Sequence, residues 1–206
     1  MSQAPGGLPL VTDQKSGSCR VMKNVFSVLL LCFLLASCGE ETKIRERAEA
    51  GDVEAQKKLA AIYFKPSFLT GVSKDAPEAV KWTRKAAEQG DAEAQNSMGF
   101  YYFNAIGVPM DYDEGLKWYR KAAEQGNADA LHNLGLMYGK DFLWHSPVPQ
   151  DNVKAYMFYN LAAAKGDENV EKYMERKREI MTKDQIAEGE KLTREWLERK
   201  AKENGQ

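Results

Sequence analysis

The sequence predicts an all-α fold, a solenoid of stacked antiparallel helix pairs closed by a C-terminal capping helix. Three observations carry that expectation. The stretch KWYRKAAEQG at 117–126 repeats KWTRKAAEQG at 81–90 almost unchanged, and a weaker copy, MFYNLAAAKG, fills 157–166. The glycines that close these copies, Gly90, Gly126 and Gly166, follow an earlier one, Gly51, at intervals of 39, 36 and 40 residues. A near-constant period in this range is the mark of stacked helical units. Finally, each of these glycines is followed by Asp52, Asp91, Asn127 or Asp167. Glycine suits the left-handed position that ends a helix, and Asp or Asn is a good N-cap for the next one, so the chain turns sharply from helix to helix at each point.

Residues 1–37 precede the repeats. Residues 1–21 are rich in Gly, Pro and Ser, and Met22 is the expected start of translation. From there the chain reads MKNVFSVLLLCFLLASC, with one Lys, an apolar run from Val25 to Leu35 and small residues before Cys38. That is the layout of a secretory signal, and the run is too short to span a bilayer, which needs roughly 20 apolar residues. Leu35-Ala36-Ser37-Cys38 resembles the lipobox of bacterial lipoproteins. The resemblance implies cleavage before Cys38 and a diacylglycerol on its thiol, and Gly39 in place of Asp points to the outer membrane. Cys19 and Cys32 then fall in the removed segment, so the mature chain has no pair for a disulfide and depends on packing.

Residues 38–50 hold the lipidated Cys and a first helix beginning near Thr42, the last turns of which close at Gly51. Three units follow over 51–166. The first helix of each carries Ala55-x3-Leu59-Ala60-x2-Tyr63, Ala94-x3-Met98-Gly99-x2-Tyr102 and Ala130-x3-Leu134-Gly135-x2-Tyr138. The i, i+4, i+8 spacing puts these on one buried face, where a small residue lets a neighbouring helix approach and the Tyr hydroxyl needs a partner. A loop with Gly71-Val72-x2-Asp75, Gly107-Val108-x2-Asp111 and Pro147-Val148-x2-Asp151 leads to the second helix. Asp75-x2-Glu78 and Asp111-x2-Glu114 read as capping boxes, while Lys154 in the third unit weakens that cap. The second helices carry Ala79-x2-Trp82-x3-Ala86, Gly115-x2-Trp118-x3-Ala122 and Ala155-x2-Phe158-x3-Ala162, a buried stripe with the aromatic as anchor. Trp118 in the central unit is the residue on which stability should depend most.

These motifs resemble Sel-one-like repeats, a subclass of tetratricopeptide-like helical hairpins. The resemblance covers about 51–166 and weakens in the third unit, where Pro147, Lys154 and Phe158 depart. It implies a right-handed α-solenoid used for protein–protein contact. Beyond Gly166 the pattern fades over 167–206: Val170 and Met174 hold the Ala and Leu places, but Glu175 and Arg178 occupy the small and Tyr places, as terminal solenoid units turn polar outward. A last helix, capped by Thr182 or Asp184, offers Ile186, Leu192 and Trp196 as an apolar face.

Composition narrows the function. With 29% charged and 43% hydrophobic residues the chain is an ordinary globular one. Lys15, Arg20 and Lys23 stand against Asp13 in the first 38 residues, which leaves 26 basic and 29 acidic groups beyond them. That balance gives no electrostatic footprint for nucleic acid. There is no phosphate loop, nucleophile elbow or HExxH, and the two histidines, His132 and His145, have no partners at metal-ligand spacing. Some cysteine-rich proteins that resemble this family are β-lactamase-like, but they depend on paired cysteines that the mature chain lacks. No cofactor, metal or small-molecule substrate is expected, and the chain reads as a non-catalytic module.

The expected partner is an envelope protein. The first reading is an adaptor anchored by lipid at Cys38 and facing the periplasm; the alternative is an immunity or inhibitor protein that neutralises a toxic lipase effector. The expected partner surface has two parts. Units one and three carry extra loop residues that include Phe64, Phe68 and Leu69 in one case and Phe142, Leu143, Trp144 and His145 in the other, an apolar load that loops do not need. These either fill gaps left by the insertions or form a rim flanking a groove of Asn96, Phe100, His132 and Leu136. His132 itself falls in a polar column with Asn96 and Lys57, expected to be a solvated groove face.

Overall fold

The structure, a computed structural model, describes residues 40–64, 75–141 and 148–205. Ile44–Gln206 clusters as one compact unit, and of the chain before it residues 40–43 are described, as helix. All regular structure among the described residues is helical. Helix α1 covers residues 40–49, starting earlier than expected. It is followed by α2 (Val53–Tyr63), α3 (Ala76–Glu88), α4 (Ala92–Phe103), α5 (Tyr112–Glu124), α6 (Ala128–Gly139), α7 (Asn152–Ala164), a 3-10 turn (Glu168–Val170), α8 (Glu171–Ile180) and α9 (Lys183–Asn204). Helices α2 to α8 pack consecutively, each against the next, which is the all-α solenoid expected.

The corners form as the glycines predict. Gly51, Gly90, Gly126 and Gly166 have φ between +79° and +98°. At Gly90 its N–H donates to the Ala87 carbonyl and the Asp91 N–H reaches back to Ala86, the paired bonds that satisfy the last carbonyls of a helix ended by a left-handed residue. The next residue then caps: Asp52, Asp91 and Asn127 each accept from the N–H three residues on, at 2.7 to 3.0 Å. The Ala55 N–H, and after it the Arg47 guanidinium, hold the Asp52 carboxyl below its ordinary range.

The second-helix caps depart from expectation. Asp111 and Asp151 accept from the N–H of Glu114 and Lys154, but Asp75 makes no side-chain cap. Its ψ of 33° leaves the extended conformation from which a cap residue reaches N3. Neither expected box closes, because Glu78 and Glu114 pair forward with Lys81 and Lys117 one turn on. Lys154, expected to weaken its cap, instead places its ammonium 3.1 Å from Asp151. The capping box that does form is Thr182 with Gln185, at the start of α9.

Ala55, Leu59, Ala94, Met98, Ala130 and Leu134 are all buried, as are Trp82 and Trp118. The small residue on each first helix is matched to what faces it. A Cβ on Gly99 would come within 2.6 Å of the Tyr119 ring, and one on Gly135 within 2.3 Å of Tyr159. In the third unit the expected anchor Phe158 is only half-buried, against Tyr138, while Tyr159, at the place of Tyr119, is fully buried. The Tyr hydroxyls find a recurring partner, an arginine 18 residues upstream, in the pairs Arg45–Tyr63, Arg84–Tyr102 and Arg120–Tyr138. In the terminal unit the pair inverts, and Arg178 on the first helix donates to Tyr156 on the second. Helix α9 lies on α7 rather than continuing the stack, with Gly189 at the crossing beside Tyr156 and with Ile186 and Trp196 against the core.

Burial pushes the phenols of Tyr119 and Tyr159 up, and at Tyr159 the Asp141 carboxylate adds to it. Both groups stay protonated in the fold where the unfolded chain ionises, at about pH 10. Stability from this source is complete below that pH and is lost as pH rises above it, since the unfolded chain then binds fewer protons. In urea titrations at rising pH, Tyr119→Phe is expected to flatten the alkaline decline; an unchanged slope would mean that the phenol ionises freely in the fold.

Candidate functional site

The groove expected from the sequence assembles on the first-helix side of the stack. Phe100, on the outer turn of α4, is 45% exposed and forms the wall shared by two cavities. One, of about 370 Å³, lies between α2, α4 and α6, with Lys57, Glu93, Asn96, Phe64 and Tyr101 around it. The other, of about 230 Å³, is lined by Phe103, Tyr119, His132, Leu136, Met137 and Tyr173. Asn133 lines both, and its Nδ2 donates to Asn96 Oδ1 at 3.1 Å. Asn96, Phe100, His132 and Leu136 are thus brought to one continuous surface. Phe64 caps α2 and sets its ring 5.5 Å from Tyr101, at the edge of the larger cavity. Phe68, Leu69, Phe142, Leu143, Trp144 and His145 lie outside the described residues, as does Cys38.

The polar column is not simply solvated. His132 Nδ1 lies 2.6 Å from Asp167 Oδ2, with 18% of the His side chain and 6% of the Asp exposed. Lys57, two periods upstream in the same column, does likewise with Asp91, 3.4 Å away, and with Glu93. The hydrogen bond to Glu93 is the main reason the Lys57 ammonium titrates above its ordinary range. At both positions a cationic or imidazole side chain reaches the residue that caps the following unit. Sequence reading placed these residues on a groove and missed the cap as their partner, although the 34- and 35-residue separations equal the local repeat lengths of 39 and 40 less five residues.

A second ladder was also missed. Gln56 and Gln95 are buried and donate to the carbonyls of Ala48 and Ala87 at 3.0 Å. Their own carbonyls accept from Gln89 and Gln125 at 2.8 Å. The Gln of each KAAEQG copy therefore holds the first-helix Gln of its own unit, and that Gln in turn reaches back to the last turn of the helix before the unit. The signal was present as an invariant letter in the two strong copies, and it disappears where Leu131 and Lys165 take those places.

Asp141 lies where the third-unit loop begins. Its side chain is 5% exposed and accepts from Tyr159 at 2.7 Å, with the Lys177 ammonium 3.0 Å away. Lys177 is itself 2% exposed and also donates to the Gly139 carbonyl. This network has every member paired and forms a structural clamp between α6, α7 and α8.

Against known proteins, the sequence pattern of the Sel1 repeat matches residues 53–91, 92–127 and 128–167. Two solved structures are similar. A protective antigen present in uropathogenic Escherichia coli strains, displaying an SLR fold, is 31% identical over 79% of this chain and 33% of that one, with a TM-score of 0.68. A Sel1 repeat protein from Oxalobacter formigenes is 38% identical over 65% of this chain and 52% of that one, with a TM-score of 0.56. The chain thus spans about a third of the first and about half of the second. No protein of curated function matches it. With three contiguous matches over more than half its length, and with the glycine corners and buried anchors recurring in step with them, the chain belongs to the Sel1 repeat family.

Proposed function

We propose that this chain is a non-catalytic protein-interaction module, anchored by lipid at Cys38 on the periplasmic side of a bacterial envelope, in the outer membrane. Sel1 repeat proteins generally mediate protein–protein interaction. The observation that carries the reading is Phe100, a large apolar side chain held 45% exposed between two cavities on the first-helix face. Such a residue, surrounded by partly polar walls, is the kind that anchors an interface. Phe68, Leu69, Phe142 and Trp144 flank this groove in the proposal, with Asn96, His132 and Leu136 in its floor.

Affinity capture from detergent-solubilised envelopes, read by mass spectrometry, tests it. Phe100→Ser should abolish recovery of the partner with the melting temperature within about a degree or two of wild type, because an exposed site contributes little to stability. Trp144→Ser with Phe68→Ser should do the same if the rim takes part. Recovery that survives all three changes sinks the groove reading. A lipase-type toxin among the captured proteins would make the module an inhibitor rather than an adaptor.

The anchor has its own test. No helix among the described residues is long and apolar enough to cross a membrane. Helical order is present by Glu40, so Gly39 alone separates it from Cys38, a reach of roughly 7 Å at about 3.5 Å per residue. A partner would then be membrane-bound or close to the bilayer. Cys38→Ser should leave the precursor unprocessed or release the protein from membranes on detergent partition, since firm anchoring needs more than one acyl chain. Normal processing together with an unchanged partition disproves lipidation.

A further inference from the structure

Resting on the reading of Cys38 as a lipid anchor, we propose that one edge of the stack docks on the bilayer. It is the edge formed by the loops between first and second helices, and its exposed apolar residues enter the headgroup layer of a zwitterionic phospholipid surface. First helices run toward this edge and second helices away from it, so the glycine corners stand at the opposite edge. Helix α1 runs toward the Gly51 corner, which puts Ile44 at the loop edge. There Ile44 packs on the Leu59 cluster, and Arg45 donates to the hydroxyl of Tyr63, the last residue of α2. Cys38 precedes Ile44 by six residues, a reach of at most about 20 Å at roughly 3.5 Å per residue. The corners lie about 18 Å farther on, along helices of 12 or 13 residues that rise about 1.5 Å per residue. An acyl chain on Cys38 therefore holds the loop edge nearest the membrane.

The same edge carries apolar surface. Five large apolar side chains are exposed among the described residues, and three of them, Phe64, Met110 and Ile180, lie here, one each in the first, second and terminal units. Phe64 caps the end of α2, and Met110 stands in the loop whose Gly107 closes on the Ala76 carbonyl at the start of α3. Ile180 ends α8, which returns to the loop edge, since Lys177 on it bonds the Gly139 carbonyl at the end of α6. Ile180 and Met110 are the most exposed of the five, at 58% and 53%. Apolar side chains scattered singly are ordinary, but a series at one end of successive units, on the end that receives the anchor, is a contact line. Charge selects the lipid. Asp75, Asp111 and Asp113 are exposed at the starts of α3 and α5 beside these residues, where anionic headgroups would repel them. Three side chains bury too little area to hold a free protein on a membrane, so the edge orients an anchored chain rather than recruiting it. The helix axes then stand on the bilayer, and the groove around Phe100 opens along its surface.

The test is amide hydrogen exchange read by mass spectrometry. The chain from Cys38 onward contains the whole compact unit, and Cys38 is its one thiol. It is coupled through that thiol to a maleimide phospholipid in phosphatidylcholine nanodiscs and compared with the uncoupled chain. Coupling is expected to slow exchange roughly fivefold or more over residues 104–110 and 178–182, and to leave the corners at 88–91 and 124–127 unchanged. Met110→Asp with Ile180→Asp should abolish that protection with the melting temperature within about a degree or two, both sites being exposed. Phosphatidylglycerol added to the discs should weaken it. The protein purified from membranes should show the same pattern in phosphatidylcholine discs. Protection at the corners or at the Phe100 turn instead, equal protection everywhere, none at all, or protection that survives the double variant would each overturn the docking edge and leave the anchor standing. Docking by the coupled chain, with Cys38 found unmodified in protein purified from cells, would mark the contact as a product of the coupling and overturn the edge together with the anchor.

Discussion

Trp118→Ala is expected to destabilise the protein by about 3–5 kcal/mol, the usual cost of removing a large buried aromatic. The indole is 5% exposed and fills the space between α3, α4 and α5, among Val80, Ala86, Ala87, Ala94, Met98 and Tyr101. Three of those six are alanines on helices fixed by their own neighbours, so little can move in to fill the void. The Lys121 ammonium, 4.3 Å from the ring centroid, loses its contact as well. One feature acts the other way: Trp118 Nε1 is buried with no hydrogen-bond partner, and deleting it removes an unpaired donor. Trp118→Phe keeps much of the volume and discards that donor, so it should cost far less than the alanine change. Because a domain of this size loses roughly 2–4 °C per kcal/mol, the alanine variant should melt on the order of 10 °C lower. A loss of a degree or two would place Trp118 outside the core and invalidate the register of the second helices.

The clamp at the end of the third unit should be as sensitive, for a different reason. Asp141→Ala leaves the Lys177 ammonium, 2% exposed, with the Gly139 carbonyl as its remaining partner. It also strands the Tyr159 hydroxyl, which now donates to that carboxylate. Breaking one side of a buried ion pair costs about 3–5 kcal/mol, whereas removing both charges together is often close to neutral. Asp141→Ala is therefore expected to destabilise strongly and Asp141→Ala with Lys177→Met to recover most of the loss. The comparison isolates the pair, because a cavity or a strained backbone would persist in the double variant. If single and double variants unfold at the same urea concentration, the charge pair contributes nothing and the clamp is packing alone.

Much of the architecture was legible in the sequence because it is written locally. The corner needs a residue that tolerates positive φ followed by one whose side chain accepts an amide, and Gly51-Asp52, Gly90-Asp91, Gly126-Asn127 and Gly166-Asp167 state that within two letters. The buried stripes follow from helical spacing, and repetition of the stripes at a fixed period fixes the stack. Where local reading misled, the competing interaction lay one turn away or one unit away. Glu78 and Glu114 were free to return to the cap or to pair with Lys81 and Lys117, and sequence alone does not rank two contacts of similar strength. Phe158 and Tyr159 are adjacent aromatics, and that Tyr159 is the more deeply buried follows from its fit against Gly135, 24 residues earlier.

By itself, then, the sequence determined that this chain is a stack of helix pairs with caps, corners and aromatic anchors, since each is a short-range demand of backbone geometry or of helical periodicity. It also determined that the first-helix face carries Asn96, Phe100, His132 and Leu136. Only the tertiary structure decided how the units are joined and how that face is shaped. The Gln–Gln bonds, the Arg–Tyr pairs, the contacts of His132 with Asp167 and of Lys57 with Asp91, and the buried clamp of Asp141 and Lys177 with Gly139 all connect residues 18 to 38 positions apart. Side-chain hydrogen bonds and ion pairs act over about 3 Å and depend on both partners arriving at the same point, which local helical periodicity does not register.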